Sequence, residues 1–118
     1  MKYIRAQSGP FVERPHFEPG EIERVCADEL QKVGLYPSEP GPVRIDRFIE
    51  KRFKVAHDYD DLPPGVLGYT KFGGNGVERI IIARALAEET SDASRRRERA
   101  TLAHEAGHGL LHGYLFAL

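Results

Sequence analysis

The residues best equipped for chemistry stand close together near position 105. Within TLAHEAGHGLLHGYLFAL, residues 101–118, His104, Glu105 and His108 fall in the H-E-x-x-H spacing. On a helix the two histidines are one turn apart, about 6 Å along the axis. Both imidazoles can then meet one ion at the zinc–nitrogen bond length of about 2.0–2.1 Å. Glu105 shares their side of the helix. It is poorly placed to be a third ligand but well placed as a general base, taking a proton from a water that attacks a carbonyl and handing it to the leaving amine.

A catalytic zinc site takes three protein ligands and keeps one position open, so a third ligand is wanted. His112 fits badly, because it stands about 12 Å up the axis from His104 and about 80° around it. A place behind the ligands or on the substrate side suits it better. A metzincin pattern would need histidine where Tyr114 stands, which excludes that pattern. His57 with Asp58, Asp60 and Asp61 offers another set of donors, but beside a Pro-Pro-Gly turn it reads as a solvated turn. His16 reads as incidental, and Cys26 as a core residue rather than a nucleophile. Arg95, Arg96, Arg97 and Arg99 could grip a phosphate or an acidic segment, although such a run is more often a solvated helix face.

The chemical residues need a helix, and the spacing predicts one from about Asp92 through the motif. At about 100° per residue, Thr101, His104, Glu105, His108 and His112 share one third of its circumference. Ala100, Ala103, Ala106, Gly107, Leu110, Leu111 and Tyr114 fall opposite and are expected to face the core. Small residues there would let the helix lie close to a sheet, offsetting the roughly 1 kcal/mol that each of Gly107 and Gly109 costs relative to alanine.

Upstream, residues 1–20 contain three prolines and two glycines without periodicity, so an extended arm is expected, ordered in part by Phe11 and Phe17. From Glu21, the residues Ile22, Val25, Cys26, Leu30 and Val33 predict a first helix that Gly34 caps. Pro42 heads a second, with Val43, Ile45, Phe48, Ile49 and Phe53 on its buried side. A short strand is expected around 54–59. Residues 66–72 and 77–86 form two β-rich runs joined by Gly73-Gly74-Asn75-Gly76, a hairpin signal. The Ile80-Ile81-Ile82 run predicts an inner strand covered on both faces. The order implies one α+β domain over residues 21–118, with N-terminal helices, a small and mostly antiparallel three-stranded sheet, and the H-E-x-x-H helix last.

Bulk properties agree with a single core: 118 residues suffice for one domain. The 17 basic and 18 acidic residues leave a net charge of −1, so no whole-domain field draws the chain to nucleic acid or to an anionic membrane. A single cysteine excludes an internal disulfide framework and a multi-thiolate zinc site. Neither a secretory signal nor a membrane span is visible. A cytoplasmic protein is expected.

RRRERATLAHEAGHGLLH, residues 95–112, resembles the zinc-helix segment of ImmA/IrrE-type metallopeptidases. The order helix, hairpin and zinc helix from about Pro42 onward is similar to that family too. The resemblance implies a compact gluzincin-like fold, a zinc ion held by His104 and His108, and Glu105 as general base. It also implies cleavage of a helix-turn-helix transcriptional repressor or similar regulator. The family's third ligand is a glutamate on a later helix, which no residue here matches. That ligand is expected beyond Leu118, with these residues the N-terminal part of a longer protein. Apolar Leu115, Phe116, Ala117 and Leu118 agree with that expectation, or with a homodimer in which a second copy covers them. The reading of another class is a peptidase-like binding module that grips a regulator without cutting it.

Overall fold

The computed structural model describes residues 2–5, 13–74 and 76–112. Phe11, Asn75, Tyr114 and the apolar residues 115–118, on which the expected homodimer contact rests, lie outside the described residues. The chain begins with a two-stranded antiparallel pair, β1 (Lys2–Arg5) and β2 (Glu13–His16), with Lys2 opposite His16. Within the arm expected over 1–20, residues 2–5 and 13–16 are thus paired strands, a pairing not expected there. Backbone pairing needs no hydrophobic periodicity, so the prolines and glycines there concealed it.

Helix α1 (Pro19–Lys32) starts two residues earlier than expected. Pro19 occupies the first turn, where a missing N–H removes no helical bond, and Glu18 and Glu21 form a reciprocal capping box. Its end is a Schellman motif: Gly34 takes φ +74, its N–H reaches the Gln31 carbonyl, and the Leu35 N–H reaches that of Leu30. The expected stripe of Ile22, Val25, Cys26, Leu30 and Val33 is half-buried throughout.

Helix α2 (Ile45–Phe53) begins three residues after Pro42, which therefore lies outside the first turn assigned to it. Phe48 and Ile49 are its buried residues, and Phe53 meets Phe48 edge-on at a centroid distance of 6.0 Å.

The sheet has the order β3-β5-β4, built from β3 (Asp58–Asp60), β4 (Gly68–Gly73) and β5 (Gly76–Ala83). The strand expected around 54–59 is shorter and shifted toward the C-terminus. β4 and β5 form the antiparallel hairpin, in which Gly73 pairs with Gly76 and the left-handed φ of +99 sits at Gly76. β3 runs parallel to β5, so the three-stranded sheet is mixed, with one antiparallel and one parallel pair. Ile80, Ile81 and Ile82 are 0% exposed, as expected of a central strand.

A short helix, α3 (Arg84–Glu88), follows, so the β-rich run expected over 77–86 ends as a strand at Ala83. Helix α4 (Asp92–His112) starts where expected. Ser91 caps it by accepting the Ser94 N–H at 3.1 Å, and the Ser94 hydroxyl donates to the Leu86 carbonyl at 3.0 Å, tying α4 to α3. The core joins Phe48, Ile49, Ile80, Ile82, Leu86, Leu102 and Ala106 from α2, β5, α3 and α4. The molecule is thus α+β, with the motif helix laid across the sheet.

Candidate metal centre

Helix α4 is not turned as the sequence suggested. Its buried residues are Ser94, Leu102, Glu105, Ala106 and Gly109, whereas Ala100 and Ala103 are exposed. Those two alanines line an apolar groove of about 450 Å³ with Cys26, Leu30 and Phe48 instead of resting on the sheet. The close approach to the sheet occurs at two glycines. A Cβ on Gly109 would lie 2.7 Å from Phe53 Cζ and 2.9 Å from Val77 Cγ2. One on Gly68 of β4 would lie 2.9 Å from Thr101 Cγ2. Among the described residues, Gly107 has no neighbour within 4 Å of such an atom, so their packing does not account for it.

This orientation separates the three motif residues by environment. His104 is exposed, His108 half-buried and Glu105 only 5% exposed. The Nε2 atoms of His104 and His108 face each other at 3.1 Å, with their rings at 87°. Two ligands on a tetrahedral ion at about 2.0–2.1 Å stand about 3.3 Å apart, so the pair is already near the spacing an ion would require. With one oxygen of Glu105 added, the three donor atoms lie within 4.8 Å of one another. This group could hold a metal ion. Among the described residues no other histidine, cysteine, aspartate or glutamate joins it.

Glu105 is held from the sheet. The Thr70 hydroxyl of β4 lies 3.1 Å from the Glu105 carbonyl oxygen and 3.2 Å from its Oε1, in position to donate to either. A carboxylate removed from water whose one hydrogen-bond partner among the described residues is a hydroxyl is destabilising unless a positive charge is near. A cation between His104 and His108 would supply that charge, which is the best local argument that these residues fit one. Thr70 was not apparent as a site residue. The alternation Gly68, Thr70, Phe72 places it on the inward face of β4, but nothing in the sequence names the helix residue it meets.

The other candidates are engaged elsewhere. His112 turns its Nδ1 to His108 Nδ1 at 3.3 Å and does not belong to the metal-competent group. Asp58 pairs with Arg79 at 3.9 Å and Asp61 with Arg84 at 3.1 Å, so the His57 cluster is a turn tied down by guanidinium groups. His57 Nε2 contacts the Tyr59 hydroxyl at 3.1 Å, which donates to Glu98 of α4 at 2.5 Å. Burial first, then the hydrogen bond to Glu98 and its charge, push the Tyr59 phenol up to about 12. Burial, with Glu29 nearby, also raises the Cys26 thiol above its ordinary value, which suits an inert residue rather than a nucleophile. His16 lies 3.4 Å from Glu18.

A cleft of about 580 Å³ opens beside the motif, walled by Gly65, Val66, Leu67 and Gly68 on one side and Arg97, Thr101, His104 and Glu105 on the other. In the sheet β5 is central, with both edges paired, and so offers no edge to a peptide. β4 is the outer strand next to the motif. No family model, curated protein or solved structure matches this chain. Among the described residues, no helix is long and apolar enough to cross a membrane.

Proposed function

We propose that the chain supplies two zinc ligands and the general base of a zinc-dependent endopeptidase of the ImmA/IrrE type, acting on a helix-turn-helix repressor or a similar regulatory protein, with the third ligand not among the described residues. The observation that carries this reading is the facing pair of Nε2 atoms at 3.1 Å, with the buried Glu105 carboxylate beside them. His104 and His108 would hold the ion, and zinc suits two imidazoles better than magnesium or calcium, which prefer oxygen. A zinc ion held there would polarise a carbonyl and lower the pKa of water to about 7.

The protein's own part is to place the peptide and to move the proton. The outer edge of β4 can pair with an extended substrate backbone, so that a carbonyl is presented at the mouth of the cleft. Glu105 accepts a proton from the attacking water and passes it to the departing amide nitrogen. Thr70 keeps the carboxylate aimed while this happens.

The test is cleavage of helix-turn-helix regulators offered as substrates, comparing wild type with Glu105→Gln. Cleavage by wild type and none by the variant is expected. Equal cleavage by both would remove Glu105 from the mechanism. Tight binding without cleavage by either would favour the binding module.

A further inference from the structure

We infer that His112 is a positioning residue: its Nδ1 accepts the Nδ1–H of His108 and holds that imidazole in the tautomer that leaves Nε2 free for a metal ion. The inference rests on reading His104 and His108 as metal ligands.

Both ring nitrogens of His108 have a nitrogen as neighbour. Nε2 faces His104 Nε2 at 3.1 Å, and Nδ1 faces His112 Nδ1 at 3.3 Å, with the second pair of rings 5.4 Å apart and tilted by 36°. Each contact is favourable only when one nitrogen carries a hydrogen and the other a lone pair. A neutral imidazole has a single N–H, so two arrangements remain. If His112 donates to His108, the His108 hydrogen sits on Nε2 and blocks the atom that would bind metal. If His108 donates to His112, Nε2 of His108 presents a lone pair toward His104, and the hydrogen of His112 sits on its own Nε2. In the second arrangement the hydrogen between the two ligand nitrogens sits on His104 Nε2 instead, and exposed His104 can move it to its own Nδ1 as an ion enters. Half-buried His108 could do so in the first only by breaking its contact with His112. The second arrangement is therefore the one that readies His108 for the site.

The helix makes this relay rigid. His104, His108 and His112 are successive one-turn steps on α4, and the last two are half-buried, so water competes weakly for the contact. Metal-bound histidines usually donate their second N–H to a carboxylate or a carbonyl. Here an imidazole one turn further along takes that place. His112 stands too far along the helix to be a ligand itself, and its distance from the ion's place is what lets it act on His108.

Two measurements decide the matter. Long-range proton–nitrogen NMR of the metal-free protein, well above the ordinary histidine range near 6.5, should show His108 protonated on Nδ1. Protonation on Nε2 would overturn the inference, and this reading needs neither zinc nor a substrate. Zinc affinity is then compared in two variants that both fill the position. His112→Asn keeps an acceptor and should bind zinc within a few-fold of wild type. His112→Phe keeps a ring without an acceptor and should lose about 10–100-fold. Retention by Phe, or equal loss in both variants, would reduce His112 to a packing role and overturn the inference. A wild type that binds no zinc but shows the Nδ1–H tautomer would instead count against the metal reading.

Discussion

Glu105 sets the terms at the residue scale. It is a carboxylate almost out of water, supported among the described residues by the Thr70 hydroxyl, on a helix that could have carried an apolar residue there. A group kept in such a position usually works at the expense of stability. Glu105→Gln should therefore raise the stability of the metal-free protein by about 1 kcal/mol in urea denaturation while abolishing peptide cleavage. Thr70→Val removes the donor without changing the shape. It should lower stability by about 1–3 kcal/mol, because the buried oxygen loses its partner, and should slow cleavage while zinc affinity changes less than twofold. His104 and His108 were legible from spacing alone, since a four-residue step on a helix always brings two side chains together. Thr70 was not, because its contact spans 35 residues and depends on how α4 is rotated on the sheet.

At the scale of elements, the rotation of α4 is where the sequence misled. Counting apolar residues placed Ala100 and Ala103 inside, yet the buried face is marked by Leu102, Glu105, Ala106 and Gly109. Ala106 is buried and Leu110 packs against the core as periodicity indicated, but Ala100 and Ala103 are exposed and Glu105 is buried, so the buried face is rotated from the one counted out along the sequence. The two motif glycines should behave oppositely on replacement. Gly109→Ala would drive a methyl into Phe53 and Val77 and should destabilise the fold by about 1–3 kcal/mol. Gly107→Ala meets open space and should stabilise it by about 1 kcal/mol through helix propensity. Chemical denaturation of the two variants side by side gives the comparison. The β4–β5 hairpin and the Gly34 cap were legible because their signals are local. The parallel pairing of β3 with β5 was not, since no short-range residue pattern encodes it.

For the whole molecule, the α+β order was legible because each element announces its period separately, and the core then follows from their apolar faces. What had to be seen in three dimensions was the polar tie from His57 through Tyr59 to Glu98, which anchors β3 to α4 far along the helix from the motif. The Tyr59 phenol titrates near 12 in the fold against about 10 when unfolded. Between those values the unfolded chain releases a proton that the folded one keeps, so stability falls as pH rises from about 10 to 12 and is unaffected by this group below that window. Tyr59→Phe should flatten that alkaline decline in thermal melts followed across the range.

The central claim is that His104 and His108 hold a zinc ion while Glu105 serves beside it without being needed to bind it. The most direct measurement is a zinc-binding titration, against a competing chelator, of wild type, His104→Ala, His108→Ala and Glu105→Gln. One ion per wild-type chain is expected, with affinity at least tenfold weaker in either histidine variant and near wild-type affinity in Glu105→Gln. A wild type that takes up no zinc, or one whose affinity survives loss of either histidine, would contradict that claim.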